Sequence, residues 1–130
     1  MYPNTMTGID GSHAAGAAQP SDHPRFWATY PYLIGHFCRD RKIYDLETCI
    51  HRFTGLPAQS LGLANKGLIQ VGKDADLVLF DFDHIAGNAV YGHADIPNTG
   101  IAYVYVNGVE SVRNGRITGK KGGRFIPRGQ

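Results

Sequence analysis

Residues 100–119 read GIAYVYVNGVESVRNGRITG, and this stretch decides how the second half of the chain folds. Asn107-Gly108 is the strongest short-range hairpin signal, because a two-residue turn with both central residues at positive φ matches the twist of the strands it joins. Asn114-Gly115 repeats it. The pattern predicts strands over 100–106, 109–113 and 116–118, a meander with two tight turns. Ile101, Tyr103 and Tyr105 fall on one face, and Ala102, Val104 and Val106 on the other. Both faces are apolar, so the sheet is expected to be covered on each side. A small meander with two such faces needs partners, in its own chain or in another.

Toward the N-terminus, residues 66–81 read KGLIQVGKDADLVLFD, where alternation predicts two further strands, 68–71 and 75–81. Ahead of them the period becomes helical. In DLETCIHRFTGLPAQSLGL (45–63), Leu46, Cys49, Ile50 and Phe53 share a face, with Asp45 as the N-cap. A stop is expected near Thr54-Gly55, then a short third helix from Pro57 to Leu61, ended by Gly62. A first helix starts at Pro24, whose missing N–H costs nothing in a first turn. It carries Phe26, Tyr30, Leu33, Ile34 and Phe37 on one face, and Pro31 should kink it or divide it in two. Ser21 or Asp22 is the candidate cap. Residues 82–99 form an irregular connection containing His84, Tyr91 and His93, whose spacing defines no ligand set.

Composition bounds the function. Glycine supplies 17 of 130 residues, nearly twice the usual share, which favours turns and short strands. The net charge is +2. Lys120, Lys121, Arg124 and Arg128 cluster near the end without interleaved aromatics or a binding motif, which points to a solvated terminus and not to nucleic acid. Cys38 and Cys49 have no zinc-knuckle spacing. With no leader-like segment and no bilayer-length apolar run, the expectation is a soluble cytoplasmic protein with no membrane partner.

The chemistry concentrates in residues 8–25, GIDGSHAAGAAQPSDHPR. Residues 5–9 are a candidate strand that Gly11 breaks, leaving the Asp10 carboxylate at a strand end. Asp-Gly is also the commonest turn pair, and the residues alone leave both possibilities open. As a catalytic group, Asp10 would take a proton from a metal-activated water and pass it to a leaving amine. Arg25 suits a bidentate grip on a substrate carboxylate. His13 and His23 flank the loop, but the chain has neither HxH nor HExxH, so these residues assemble no complete metal centre.

Taken in order, the Asp-Gly, HPR at 23–25, T-x-x-P-A-x-x-L-G-L at 54–63, G-x-I/L-x-x-G-x-D-A-D-L-V at 67–78 and NGxxxxxNG at 107–115 resemble the amidohydrolase superfamily. Among its branches the chain is most similar to the D-aminoacylases (N-acyl-D-amino-acid deacylases). The resemblance implies an α/β fold: the C-terminal fragment of a zinc-dependent (β/α)₈ barrel, followed by a β-meander from a small β-sandwich domain. Residues 1–66 would be the end of the barrel, with its last strand, active-site loop and closing helices. Residues 67–130 would be sandwich strands. The resemblance further implies that Asp10 is the general base and acid beside the metal, that Arg25 binds the carboxylate of an N-acyl-amino acid substrate, and that His23 belongs to the same substrate-binding motif. Zinc would belong to the complete enzyme, with its ligands on barrel strands that these residues do not include, so the 130 residues alone are expected to be inactive and to bind no zinc tightly. The partner would be the remaining barrel portion, a complementary chain, or a second copy. From a different class, the chain could instead be a non-catalytic, β-rich interaction module.

Overall fold

The computed structural model describes residues 4–10 and 18–127. The chain forms two compact units, each assembled from separated segments: Gly8–Leu46 with Asp81–Gly100, and Met1–Thr7 with Glu47–Phe80 and Ile101–Gln130.

The second of these units holds a four-stranded antiparallel sheet in the order β1 (Leu77–Phe80), β2 (Ile101–Val106), β3 (Val109–Arg113), β4 (Arg116–Ile117). Both turns have the predicted geometry. Asn107 and Gly108 sit at φ 51° and 76°, and Asn114 and Gly115 at 49° and 72°, as a turn with two left-handed central residues requires. The first turn is tied to the chain entering β1: the Asn107 N–H donates to Asp76 Oδ1 at 2.6 Å and the Gly108 N–H to the Ala75 carbonyl at 2.9 Å. Every β2 residue is half-buried, while Val78 and Leu79 of β1 are exposed. The stretch 68–71 forms no strand. Its backbone closes a loop instead, with the Asp74 N–H on the Asn65 carbonyl at 3.0 Å and the Lys73 N–H on the Gln70 carbonyl at 3.1 Å. Ile69 and Val71 are left fully in solvent.

Lys66 closes the same loop through its ammonium, which lies 2.9 Å from Asp74 and also bonds Asp76. Arg124 adds a second cation to Asp74 at 3.3 Å. Helices α2 (Leu46–Phe53) and α3 (Gly55–Leu61) precede the loop. The stop between them falls at Thr54, whose hydroxyl bonds back to the Ile50 carbonyl at 2.7 Å. Helix α3 starts two residues before Pro57, and Gly62 ends it as predicted, at φ 69°. Cys49 and Ala58 are the buried residues of the pair.

In the other unit, α1 (Arg25–Tyr32) runs directly into a π-helical segment, Leu33–Asp40. Pro31 therefore divides the predicted helix by a change of winding. Lacking an N–H, Pro31 cannot bond the Trp27 carbonyl four residues back, and interruptions of that ladder are where helices kink or widen. The Trp27 carbonyl is satisfied from elsewhere: Asn98 Nδ2 donates to it at 2.7 Å. Residues 81–100 thus dock along the helix. Arg39 Nη1 donates to the carbonyls of Phe82, Asp83 and Ile85 at 3.1, 3.1 and 2.8 Å. Ile85, Ala89 and Ala94 are buried, as are Ala28, Ile34 and Cys38 of the helical segment. Gly87 and Gly100 permit the close approach. A Cβ on Gly87 would stand 2.6 Å from the Ala28 carbonyl oxygen, and one on Gly100 would stand 2.5 Å from the Ile85 Cα.

A second expected strand is also absent. Residues 5–9 form no β-strand, because a strand exists only through lateral hydrogen bonds to a neighbour, and the sheet consists of β1–β4 alone. Among the described residues, no helix is long and apolar enough to cross a membrane.

Candidate functional site

The three residues singled out by sequence all lie in the unit containing α1. Asp10 and Arg25, fifteen residues apart, form an ion pair, with Arg25 Nη2 3.1 Å from Asp10 Oδ2. Asp10 occupies the left-handed region at φ 45°, a conformation that aspartate tolerates better than most residues. Its side chain is 90% exposed and that of Arg25 is 43% exposed. An arginine in a helix's first turn opposes the helix dipole, and the Asp10 carboxylate offsets that. The guanidinium carbon also stands 5.4 Å over the Phe26 ring.

HPR is a local device. Pro24 adopts helical angles (φ −52°, ψ −30°), and its carbonyl accepts the N–H groups of Trp27 and Ala28. His23 is then placed so that its ring folds back over the helix start, where Nδ1 accepts the Arg25 N–H at 3.1 Å. This corrects the expected cap. Asp22 Oδ2 instead takes the Gln19 N–H at 2.9 Å and the Trp27 indole N–H at 3.0 Å, joining the loop to the helix side. His23 does the work at the N-terminus that a capping oxygen usually does.

The other ring nitrogen, His23 Nε2, lies 2.8 Å from the Tyr91 hydroxyl. With Nδ1 an acceptor, the neutral ring carries its proton on Nε2 and donates it to Tyr91. No local pattern pointed to Tyr91, which reaches His23 from 68 residues away. Asn98 was findable in part, because Pro31 inside a helical pattern announces a carbonyl in need of a donor.

Another histidine pair is separate from this group: His84 Nδ1 and Asp81 Oδ2 are 2.7 Å apart, and that contact holds the Asp81 carboxyl below its usual range. His13 lies outside the described residues, as does Arg128. Among the described residues, no group of three or more His, Cys, Asp or Glu side chains is arranged to hold a metal ion.

Comparisons with known proteins agree on kinship. The pattern of the Amidohydrolase family matches residues 7–112. The D-aminoacylase of Alcaligenes xylosoxydans xylosoxydans is 40% identical over 127 residues, covering 95% of this chain and 25% of that enzyme. A solved D-aminoacylase, described for its binuclear metal centre, superposes with a TM-score of 0.73 at 42% identity, over 75% of this chain and 21% of the other. The N-acyl-D-glutamate deacylase of Bordetella bronchiseptica, solved with zinc and a phosphonate mimic of the tetrahedral intermediate, gives 0.67 at 39%, over 68% and 19%. This chain thus spans about a fifth to a quarter of the length of these relatives. The two solved relatives are metal-containing enzymes, and the chain belongs to the amidohydrolase family.

Proposed function

We propose that this chain carries the carboxylate grip and the proton carrier of a metal-dependent N-acyl-D-amino-acid deacylase, whose metal ligands lie outside its described residues. One observation carries this: the Asp10 and Arg25 side chains, fifteen residues apart in the sequence, converge to 3.1 Å. Residues 1–66 then correspond to the end of a (β/α)₈ barrel and residues 67–130 to sandwich strands, in a cytoplasmic enzyme.

The reaction adds water to the amide carbonyl carbon and breaks the C–N bond, giving a carboxylate and a free amino acid. Arg25 binds the amino acid's carboxylate through two parallel N–H donors. Asp10 takes a proton from the attacking water as a carboxylate and returns one to the amine nitrogen as it leaves, so the carboxylate is regenerated. His23 fixes the helix start from which Arg25 projects. Electrophilic assistance would come from the metal, held by residues on the enzyme's other barrel strands.

The test is to co-express this chain with the other three quarters of the Alcaligenes D-aminoacylase and assay N-acetyl-D-amino acids with zinc. The assembled enzyme should release free D-amino acid, Asp10→Asn should abolish release, and the 130 residues alone should give none. Robust turnover by the 130 residues alone, or undiminished activity of Asp10→Asn, would overturn the proposal.

A further inference from the structure

The geometry points to Tyr91 as a positioning residue for substrate binding: it holds the His23 ring, and His23 in turn holds the backbone of Arg25. This rests on the role proposed for Arg25 and extends it to a residue on a distant segment. The chain of contacts is continuous. Tyr91 Oη is 2.8 Å from His23 Nε2, and the two rings meet edge to face at 5.0 Å between centroids. His23 Nδ1 is 3.1 Å from the Arg25 nitrogen. The His23 ring also stands 6.0 Å from the Phe26 ring, over which the Arg25 guanidinium sits.

Chemistry makes the link directional. A ring that accepts a backbone N–H at Nδ1 must keep its proton on Nε2, and that proton needs an acceptor. Tyr91 supplies one, and without it the ring keeps only the Arg25 bond and is free to turn about χ2, a broad torsion. Tyr91 is itself placed by a built turn and not by chance exposure. Val90 and His93 exchange backbone hydrogen bonds around it at 3.3 and 3.0 Å, and the Ala94 N–H bonds the Pro20 carbonyl at 3.2 Å, fixing the turn against the loop that leads to His23. Tyr91 is 77% exposed, so burial does not explain its position.

Two measurements test this independently. In the 130-residue chain, side-chain nitrogen NMR should show His23 protonated on Nε2 and bare on Nδ1. Tyr91→Phe should lose the His23 Nε2–H signal to water exchange and shift the Arg25 amide, with the rest of the spectrum unchanged. A His23 protonated on Nδ1, or a signal indifferent to Tyr91→Phe, overturns the link whatever the enzyme does. In the assembled enzyme, Tyr91→Phe should raise KM for N-acetyl-D-amino acids about three- to tenfold, the range that one hydrogen bond gives, with kcat little changed. His23→Ala should raise KM similarly, with no further rise on adding Tyr91→Phe. An active wild type with an unchanged KM in Tyr91→Phe refutes this inference alone, whereas an inactive wild type refutes the deacylase proposal and leaves NMR to decide the Tyr91 link.

Discussion

Asn98 and Pro31 should be coupled in stability although their side chains play different parts. Pro31 takes away the N–H that would bond the Trp27 carbonyl, and Asn98 Nδ2 replaces it at 2.7 Å in a half-buried setting. Asn98→Ala leaves that carbonyl without its side-chain donor, at a cost of about 1–3 kcal/mol. The 3.4 Å contact from the Asn88 N–H to Asn98 Oδ1 is too long to add much. Pro31→Ala restores a helical N–H beneath the same carbonyl. In that background Asn98→Ala should cost less by about 1 kcal/mol, a coupling of the size found for groups sharing one partner. Urea unfolding of the four chains, with midpoints compared at constant slope, reads this directly. Costs that add to within about 0.3 kcal/mol would show that Asn98 does not replace the missing donor.

Three further outcomes follow from the structure. The Lys66 network should give a stability plateau with two edges. Hydrogen bonds from Lys66 lower the Asp74 carboxyl. Burial pushes Asp76 upward, but its bonds to Lys66 and the Asn107 N–H outweigh that and leave it lowered. The contribution of these carboxylates is therefore present above the ordinary aspartate value and lost as pH falls through their depressed values. Lys66 itself is raised, chiefly by its bond to Asp76, so its contribution is present below the ordinary lysine value and lost at alkaline pH above it; Asp76→Asn should flatten both edges in urea midpoints measured across pH. Alanine at three glycines should separate two penalties. Gly92 (φ 82°, open space around it) should cost about 1 kcal/mol of backbone strain, Gly87 about 1–3 kcal/mol of crowding, and Gly100 (φ 79°, crowded) close to the sum of both; equal midpoints for all three would contradict the packing of residues 81–100. Finally, Arg25→Lys in the assembled enzyme should raise KM about tenfold or more, because an ammonium cannot make the paired contact of a guanidinium; an unchanged KM there would place the carboxylate elsewhere.

What the sequence disclosed depended on how local the cause was. The two Asn-Gly turns, the Gly62 helix stop and the break at Pro31 are dictated by backbone chemistry within a few residues, and all four are in the structure. The strand expected over 5–9 depends on a lateral partner, which no local pattern can report. At 68–71 the alternation was present, but the Lys66–Asp74 pair and two turn bonds draw that segment into a closed loop. Asp10, His23 and Arg25 stand out in the sequence because carboxylate, imidazole and guanidinium in one glycine-rich stretch are unusual company. Their meeting through space is what the structure adds. Tyr91 was invisible for the opposite reason: an exposed tyrosine in a loop is ordinary until a histidine is found 2.8 Å from its hydroxyl.

Release of free amino acid from N-acetyl-D- and N-acetyl-L-amino acids by the assembled enzyme, with and without Asp10→Asn, tests the central claim most directly. Turnover of the D-isomer that disappears in Asp10→Asn, with the D-substrate KM raised in Arg25→Lys, is the predicted result. A folded, zinc-loaded assembly that leaves the D-substrate intact, or that cleaves it equally well without the Asp10 carboxylate, would contradict it.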